Sequence, residues 1–304
     1  MKGLYGIAGM SKQGLHQHNR RQSERLVNEE RIIELALRIR ENHPKMGCRS
    51  MHDLIKDNIM GRDRSEQILL GNGFRVHYPP NYLKTTVSQR VYLYPNLIEG
   101  LCLNGINQVW QTDITYYIAD EGDVFYVIFI VDVYSRRILG HAAHDHMRAE
   151  ANKKALRMAL RTRERQSLDG LIHHSDRGSQ YIDTQYRKML ADQQISISMC
   201  KQAWENSYTE RINGTIKNSY LKARKIILLS ELRRELNRAV YYYNQEKPHR
   251  NLINRMSPIA YEQYLERLPI DQYPILKIYK GKNELSTYPH HSQKEKSSKK
   301  EKLQ

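Results

Sequence analysis

The feature that most constrains the fold is a series of three β-rich segments in the middle of the chain, at residues 108–119, 124–134 and 137–144. The connections between them are short, and the second segment is almost continuously apolar in its middle, which is typical of a central buried strand. Because short connections join antiparallel neighbours, these segments predict a three-stranded antiparallel meander.

Beyond the meander, helical and strand patterns alternate. Helices are predicted at 149–163 and 184–193, and short strands flank the second helix at 170–174 and 195–199. Strand–helix–strand connections of this length imply parallel pairing. The sequence therefore predicts an α/β fold in which a mixed five-stranded sheet is flanked by helices. Two further helices are predicted after the sheet, at 207–222 and 229–244.

The first hundred residues predict a separate helical region. A helix at 28–43 ends before Pro44, and two shorter helices follow at 49–56 and 63–70, with tight turns between them. Short helices joined by tight turns suggest a helix-turn-helix, in which basic residues contact phosphates. The candidate DNA-binding residues are Lys45, Arg49, Lys56, Arg62 and Arg64. A plain helical hairpin with a solvated basic face explains the same residues equally well, because such hairpins are common.

Changes in pattern divide the chain into four expected parts. Residues 1–77 form a helical DNA-binding region, and residues 78–104, which lack periodicity and contain several prolines, form a linker. Residues 105–268 contain the sheet and its helices. Residues 269–304 form a basic tail that is too poor in apolar residues to offset its ordering entropy, so we expect it to be largely disordered.

Charge and hydropathy narrow the function classes. The chain has 49 Lys and Arg residues against 33 Asp and Glu, a net charge of +16, which indicates a polyanionic partner and above all nucleic acid. No apolar run approaches the roughly 18–20 residues that a membrane-spanning helix needs, and the N-terminus lacks the apolar core of a signal peptide. We therefore expect a cytoplasmic protein that associates with the nucleoid when it is bound to DNA.

Cysteine and histidine patterns give little support for a structural metal site. The three cysteines are far apart and form no Cys-x-x-Cys pair that would begin a zinc site. The pairs His173–His174 and His290–His291 resemble ligand pairs, but adjacent residues on a strand point to opposite faces. A metal at either pair is therefore the less favoured interpretation.

Two aspartates stand where a sheet brings functional groups together. Asp113 lies inside a predicted strand, where aspartate is depleted and where a carboxylate near a core is costly unless it is paired or bound to a cation. An edge-strand aspartate that faces water is the alternative. Asp176 follows the strand at 170–174, at the carboxyl end where α/β sites gather, although Asp176 and Gly178 also suit an ordinary turn.

The third candidate carboxylate is Glu210, on the helix predicted at 207–222. Glu210, Asn213 and Lys217 share one polar face of this helix, since seven residues complete nearly two turns. The segment from Ser207 to Glu210 also fits a capping box, in which Glu210 would reach back to the start of the helix. Glu205 is the rival carboxylate, but it precedes the helix and no pattern orients it, so Glu210 is preferred.

Three carboxylates from a strand, a strand end and a helix can converge at one edge of a mixed sheet. Such a site offers oxygen ligands of the kind that magnesium or manganese prefers. Two such ions, roughly 3.5–4 Å apart, activate the attacking oxygen and stabilise the leaving oxygen during displacement at phosphorus. The combination therefore predicts two-ion phosphoryl transfer on nucleic acid.

Five motifs carry a resemblance to a known family. They are 110–116 (WQTDITY), 132–140 (DVYSRRILG), 174–181 (HSDRGSQY), 206–210 (NSYTE, continuing to Lys217) and 243–249 (YNQEKPH). By these motifs the chain resembles the second-frame transposases of the insertion-sequence family numbered three, whose catalytic core is similar to retroviral integrase and ribonuclease H. The resemblance covers roughly residues 30–265. It implies that residues 105–268 form a ribonuclease H-like, DDE-type catalytic core.

The resemblance also implies roles for individual residues and partners. Asp113, Asp176 and Glu210 would be the catalytic metal ligands, and Lys217 would help to position the DNA end. The implied partners are double-stranded DNA with terminal inverted repeats, further copies of the chain in a multimeric complex, and an upstream-frame protein. Asp132 is the remaining acidic residue in the motifs, and we expect it to pair with Arg136 or to cap the turn.

The chain departs from the family pattern at a few positions. Residues 177–209 form a slightly shorter spacer between Asp176 and Glu210 than the family usually has. Ser207 stands where alanine is common, and Lys247 where arginine is usual. Two other functions suit the same residues: a DNA-binding regulator without catalysis, in which the basic helices are the functional part, and a ribonuclease acting on RNA–DNA hybrids, which has less use for a helix-turn-helix.

Overall fold

A computed structural model of the protein describes residues 11–55, 59–77 and 94–278. The described residues of the N-terminal part form three helices, α1 (Lys12–Asn42), α2 (Cys48–Leu54) and α3 (Arg62–Gly71). Helix α1 begins well before the predicted residue 28 because its first half is stabilised by polar contacts. Ser11 caps it by accepting a hydrogen bond from the Gly14 amide, and Arg20 pairs with Glu24 one turn away at 2.9 Å.

Among the described residues, seven strands lie in two sheets. They are β1 (Cys102–Leu103), β2 (Val109–Ile118), β3 (Val124–Asp132), β4 (Ile138–His144), β5 (Ile172–Ser175), β6 (Ser196–Met199) and β7 (Leu276–Lys277). Five of them form one sheet in the order β4-β3-β2-β5-β6. The pairs β2–β3 and β3–β4 are antiparallel, whereas β2–β5 and β5–β6 are parallel. The predicted meander and the predicted mixed five-stranded sheet are therefore confirmed.

Helices cover both faces of this sheet. They are α4 (Ala149–Thr162), α5 (Thr184–Ala191), α6 (Ser207–Thr215), α7 (Leu229–Gln245) and α8 (Pro258–Leu265). Strand β3 alternates between two cores: Ile128 and Ile130 pack with residues of α4 and α5, whereas Val127 and Phe129 pack with residues of α6 and α7. Both faces are buried, which explains why the middle of this strand is continuously apolar.

Strands β1 and β7 form a small sheet that the sequence did not predict. Leu103 pairs with Leu276, and Cys102 pairs with Lys277, in antiparallel register. Ile98 and Leu103 are buried in one cluster with residues of α8. The described parts of the predicted linker and of the predicted tail therefore pair with each other. The predicted disorder of the later tail falls on 279–304, outside the described residues.

The N-terminal helices contact α7 and the segments that follow α6 and α7. His43 Nδ1 lies 2.8 Å from the Tyr220 hydroxyl, and its Nε2 lies 3.1 Å from Glu246 Oε2. Arg255 donates from Nη1 to both carboxylate oxygens of Asp53, at 2.6 and 2.7 Å. Within the described ranges, no helix combines the length and the apolar character that a bilayer-spanning segment requires.

A buried ionic cluster ties the sheet to α8. Arg163, whose side chain is fully buried, donates from Nη1 to Glu262 Oε2 at 2.9 Å and from Nη2 to Glu262 Oε1. Arg137 Nη1 donates to Glu262 Oε2 at 2.5 Å, and Ser135 Oγ donates to Oε1 at 2.7 Å. The second carboxylate near Arg163 is Asp132, at 3.7 Å. Glu262 is thus the main counter-charge of a guanidinium group that water does not reach.

Asp132 has the structural role that its position suggested. Its Oδ1 accepts hydrogen bonds from the backbone amides of Tyr134 and Ser135, both at 2.9 Å, so it caps the turn between β3 and β4. The expected pairing with Arg136 is not the one that forms, because the guanidinium group nearest to the carboxylate is that of Arg163. Of the two expected structural roles, turn capping is therefore confirmed, and an ion pair with Arg136 is not among the contacts of the described residues.

Gly140 allows α4 to lie directly on β4. A Cβ atom at this position would be 2.0 Å from the backbone carbonyl oxygen of Ala155, which cannot rotate away. Gly140→Ala is therefore expected to lower the free energy of unfolding by about 1–3 kcal/mol or more, as overpacked cores do. Urea unfolding measures the difference. Gly71→Ala at the end of α3, where an added Cβ meets nothing within 4 Å, is the matched control. Equal midpoints for the two variants would contradict the close packing.

Candidate active site

Asp113 lies on β2, and Asp176 directly follows the neighbouring parallel strand β5 at about the same level. Gln111 of β2 pairs with His174 of β5, and the two aspartates each follow two residues later. Residues two apart face the same side of a strand, and adjacent strands are about 4.8 Å apart. Asp176 also acts electrostatically on the Asp113 carboxylate. The sheet therefore brings these two predicted residues together at its edge.

Helix α6 is held against β2 by two asparagine side chains. Asn206 Nδ2 donates to the backbone carbonyl oxygen of Thr112 at 2.9 Å, and Asn213 Nδ2 donates to Asp113 Oδ2 at 2.7 Å. Glu210 lies four residues after the first and three residues before the second, so the three share one face of the helix. Glu210 is exposed, and it too acts electrostatically on Asp113.

Burial disfavours the ionised form of all three carboxylates, and for Asp113 the charges of the other two add to this effect. Burial, followed by the charges of Asp176 and Glu210, raises the pKa of Asp113 well above its usual value. Burial also raises the pKa of Asp176, against the effect of a hydrogen bond from the Gly178 amide, and burial raises the pKa of Glu210. Within residues 11–55, 59–77 and 94–278, none of the three forms an ion pair. Their donor atoms are all oxygens, so the set fits a hard divalent cation.

The carboxylates are not gathered as tightly as a bound ion would hold them. Across the part of the chain that the structure describes, the one trio of candidate ligands whose donor atoms all lie within 4.8 Å of one another is His144, Asp145 and His146. Those three residues follow one another at the end of β4. Glu210 lies on the surface, so its side chain is free to turn toward Asp113 without repacking a core.

Lys217 reaches the same strand from the continuation of α6. The helix passes from its α-helical part into a π-helical turn at Ile216–Tyr220. There Lys217 Nζ donates to Thr115 Oγ1 at 3.3 Å and lies 4.7 Å from the centre of the Tyr116 ring. The charge of Asp113 acts electrostatically on Lys217. The cation predicted to contact DNA therefore lies beside the carboxylates, and π-helical turns are frequent at functional sites.

The competing explanations for the carboxylates have different outcomes. The capping box is absent, because α6 has Asn206 as its N-cap and no side chain caps its first turn. The turn interpretation of Asp176 is confirmed, since the Gly178 amide donates to Asp176 Oδ1 at 3.0 Å. That bond uses one oxygen and leaves the other carboxylate oxygen available.

Glu205 has a structural role that the sequence did not indicate. It is 3% exposed, and its Oε2 accepts hydrogen bonds from the Lys201 amide at 2.5 Å and from Asn96 Nδ2 at 2.9 Å. Its backbone carbonyl oxygen accepts from Gln111 Nε2 at 3.1 Å. No local signal in the sequence predicts these contacts, since two of the three partners come from distant segments.

The predicted DNA-binding arginines lie on the surface of the N-terminal helices and pair with carboxylates. Arg49 pairs with Glu66 at 2.8 Å, and Arg64 pairs with Glu29 at 2.6 Å. Arg62 pairs with the adjacent Asp63 at 3.0 Å. Exposed pairs of this kind contribute little to stability and exchange readily for other partners. Lys45 is joined through its backbone amide to the Ser219 carbonyl oxygen at 3.2 Å, and Lys56 lies outside the described residues.

The histidine pair of β5 serves the core. His173 Nε2 lies 2.6 Å from the Tyr186 hydroxyl, and His174 Nδ1 lies 2.8 Å from Ser198 Oγ. Burial lowers the pKa of His173 to about 3 and that of His174 to about 4. Both rings are therefore neutral at ordinary pH and hydrogen-bonded to hydroxyl groups. The second pair, His290–His291, lies outside the described residues.

Comparison with known proteins gives one consistent result. Two family models, each described as an integrase core domain, match residues 104–203 and 191–258. An uncharacterised 31 kDa protein of insertion element IS600 from Shigella sonnei is 32% identical over 271 residues, which is 84% of this chain and 96% of that protein. The transposase InsF for insertion sequence IS3A of Escherichia coli (strain K12) is 30% identical over 188 residues, 58% of this chain and 62% of its own length.

Solved structures include a similar chain. The HTLV-2 integrase catalytic core domain in complex with magnesium, in its trimeric form, aligns with a TM-score of 0.41 and 18% sequence identity. The alignment covers 55% of this chain and 99% of the integrase chain.

Proposed function

The chain belongs to the insertion-sequence transposases with an integrase core domain, as a DDE-type polynucleotidyl transferase, and from this premise we propose that Asp113, Asp176 and Glu210 bind the cations with which it cuts and joins DNA. One observation carries the proposal. Burial and the charges of Asp176 and Glu210 disfavour the ionised form of Asp113, and within the described ranges no ion pair of any of the three offsets this cost. A carboxylate in that state is stabilised by a divalent cation.

The three carboxylates would hold magnesium or manganese, and both ions suit an all-oxygen donor set. Bound there, two ions supply charge neutralisation and activation of the attacking oxygen at the scissile phosphate. Asn213 holds one oxygen of Asp113 at 2.7 Å and so fixes the orientation of that carboxylate. Lys217 supplies a fixed positive charge on the same side of β2, where it can contact a phosphate of the DNA end.

The reaction consists of two displacements of the same kind. In the first, water attacks a phosphodiester at the end of the element, the bond from phosphorus to the 3′-oxygen breaks, and a free 3′-hydroxyl results. In the second, that hydroxyl attacks the phosphorus of another phosphodiester and displaces its 3′-oxygen. No covalent bond between protein and DNA forms, so no serine or tyrosine nucleophile is needed. Alignment and charge neutralisation supply most of the rate enhancement.

The proposal includes the DNA partner and the assembly. The net charge of +16 supports binding to double-stranded DNA, with the basic surface of α2 and α3, including Arg49, Arg62 and Arg64, contacting phosphates. The names of the relatives, which are proteins of insertion sequences, support terminal inverted repeats as the DNA that is recognised. Further copies of the chain and an upstream-frame protein complete the proposed complex, which acts at the bacterial nucleoid.

A strand-transfer assay tests the proposal. The full chain is incubated with labelled duplexes that carry the DNA ends flanking its gene, in magnesium, manganese, calcium or a chelator. We expect cleaved and joined products with magnesium and manganese and none with the chelator, while DNA binding persists in every buffer. Products formed in the chelator would contradict the cation ligands. Cleavage of an RNA–DNA hybrid without any joined DNA would instead identify a ribonuclease.

A further inference from the structure

A cavity of about 390 Å³ lies between the N-terminal helices and the part of the molecule that contains the five-stranded sheet. It is on the side of α6 away from the carboxylates. Ser50 of α2 contributes to its wall, so both parts of the molecule form it. Most of the remaining wall consists of cationic side chains and aromatic rings. The residues that matter are Arg136, Tyr208, Arg211, Lys247, His249 and Arg250.

Arg136 is the most deeply buried cation of this wall. It is 9% exposed, its guanidinium carbon lies 4.0 Å from the centre of the Tyr208 ring, and its Nη1 has no hydrogen-bond partner. Its backbone is left-handed, with φ of 65°, which is uncommon for a residue other than glycine. The guanidinium group also interacts with the Tyr208 side chain through a hydrogen bond, but a buried donor without an acceptor is costly, so its Nη1 is available to an acceptor from outside the chain.

Lys247 and His249 are also left without an acidic partner. Burial lowers the pKa of Lys247, whose Nζ reaches the carbonyl oxygen of Pro248 at 3.5 Å. Burial, together with the charges of Lys247 and Arg136, lowers the pKa of His249 well below its usual value, and its Nε2 has no hydrogen-bond partner. The wall therefore has an excess of positive charge that repels a further proton.

The rim adds two exposed arginines, Arg211 and Arg250. Across the described parts of the chain, none of the four lysine and arginine side chains of the cavity forms an ion pair with a carboxylate. This differs from the N-terminal helices, where Arg49 and Arg64 both have carboxylate partners. Guanidinium and ammonium groups that converge without an acid match the several acceptor oxygens of a phosphate group.

We propose that this cavity is a phosphate-binding site, and that its occupant is a backbone phosphodiester of the DNA, separate from the phosphate that is cut. This rests on the proposed function for the identity of the DNA. Helix α6 has Glu210 on the side of the carboxylates and Arg211 on the side of the cavity, since consecutive residues are about 100° apart around a helix. A DNA strand that crosses α6 therefore presents one phosphate to each side.

The salt dependence of DNA binding tests the site. Each phosphate that a protein neutralises contributes about one to the slope of log K against log salt concentration. We expect Lys247→Met and Arg211→Gln each to reduce the slope by about one, measured with the full chain and a duplex of the element end in a chelator. The two substitutions remove a half-buried and an exposed cation, so a folding defect in the first does not affect the second. Arg161→Gln on α4 removes an exposed cation outside the cavity and should leave the slope unchanged.

Inorganic phosphate is the second probe. A wild-type slope in both cavity variants would overturn the proposal. In that case the Tm of the wild type and of Lys247→Met is measured in phosphate and in chloride at equal ionic strength. If phosphate raises the Tm more than chloride does, and only in the wild type, the cavity binds a free phosphate compound instead. Both measurements record binding without divalent cations. A negative result in both measurements would not affect the proposal that the three carboxylates bind cations. A negative strand-transfer assay would likewise not affect the result for the cavity.

Discussion

Asp113→Asn is expected to abolish DNA cleavage and joining, with a loss of at least about 10³-fold, while DNA binding is retained. Asp113 is the carboxylate on which the charges of both Asp176 and Glu210 act. An amide in its place keeps an oxygen that can accept the hydrogen bond from Asn213, but it has no negative charge with which to hold a cation. The loss should therefore affect the chemical step and not the structure.

The stability of the same variant should change in the opposite direction. A raised pKa means that folding disfavours the ionised form of Asp113, and this cost is present at every pH above the carboxyl's unfolded pKa. Replacing the carboxylate by an amide removes that cost, so the Tm of Asp113→Asn without divalent cations should equal or exceed that of the wild type. Magnesium should raise the Tm of the wild type only.

A matched acid elsewhere controls for the loss of one charge. Asp192→Asn, at the exposed end of α5, should keep both strand transfer and the response of Tm to magnesium. Normal strand transfer by Asp113→Asn would show that this carboxylate is not a cation ligand. Binding of the element ends by a wild-type chain that yields no product would instead favour the DNA-binding regulator.

Glu262→Ala is expected to lower the free energy of unfolding by about 3–5 kcal/mol, the usual cost of removing one partner from a buried ion pair. The substitution leaves Arg163 fully buried, with Asp132 at 3.7 Å as its remaining carboxylate. Arg137 and Ser135 lose their partner at the same time. For a chain of this size the Tm should fall by roughly 10 °C.

Denaturant unfolding with a surface control measures this effect. Glu24→Ala removes an exposed partner of Arg20, and its cost should stay below about 1 kcal/mol. The double variant Glu262→Leu with Arg163→Met should recover much of the stability, because the penalty comes from the unpaired charge and not from the loss of the pair itself. Equal costs for Glu262→Ala and Glu24→Ala would refute the importance of the buried cluster.

The five-stranded sheet could be predicted because the sequence pattern of each strand lies within the strand and its connections. Apolar alternation, short connections and a buried central strand are all visible in the segments from 108 to 199, and the observed strands match them. The first half of α1 was missed because arginine–glutamate pairs, not an apolar stripe, stabilise it. The β1–β7 pairing was missed because two residues per strand give no periodicity.

The candidate site residues, like the sheet, could be predicted where the signal is local in the sequence and not where it depends on distant contacts. Asp113 and Asp176 could be found because an acid inside one strand and another just after a parallel strand are unusual and interpretable. The capping box was wrong because it took Ser207 as the N-cap, whereas Asn206 is the N-cap and its side chain binds the carbonyl oxygen of Thr112 on β2. The cavity around Arg136 gave no sequence signal, since its residues come from four separate segments.

The π-helical turn at Ile216–Tyr220 sets the angular phase of everything that follows it. A turn with one extra residue rotates the subsequent chain by about 100° relative to an uninterrupted α-helix. Lys217 on this turn is directed to β2, while Tyr220 at its end meets His43 of the N-terminal part. We expect deletion of one residue from this turn to break one of these two contacts. The extra residue of the π-helical turn therefore couples the position of Lys217 beside the carboxylates to the contact between Tyr220 and the N-terminal helices.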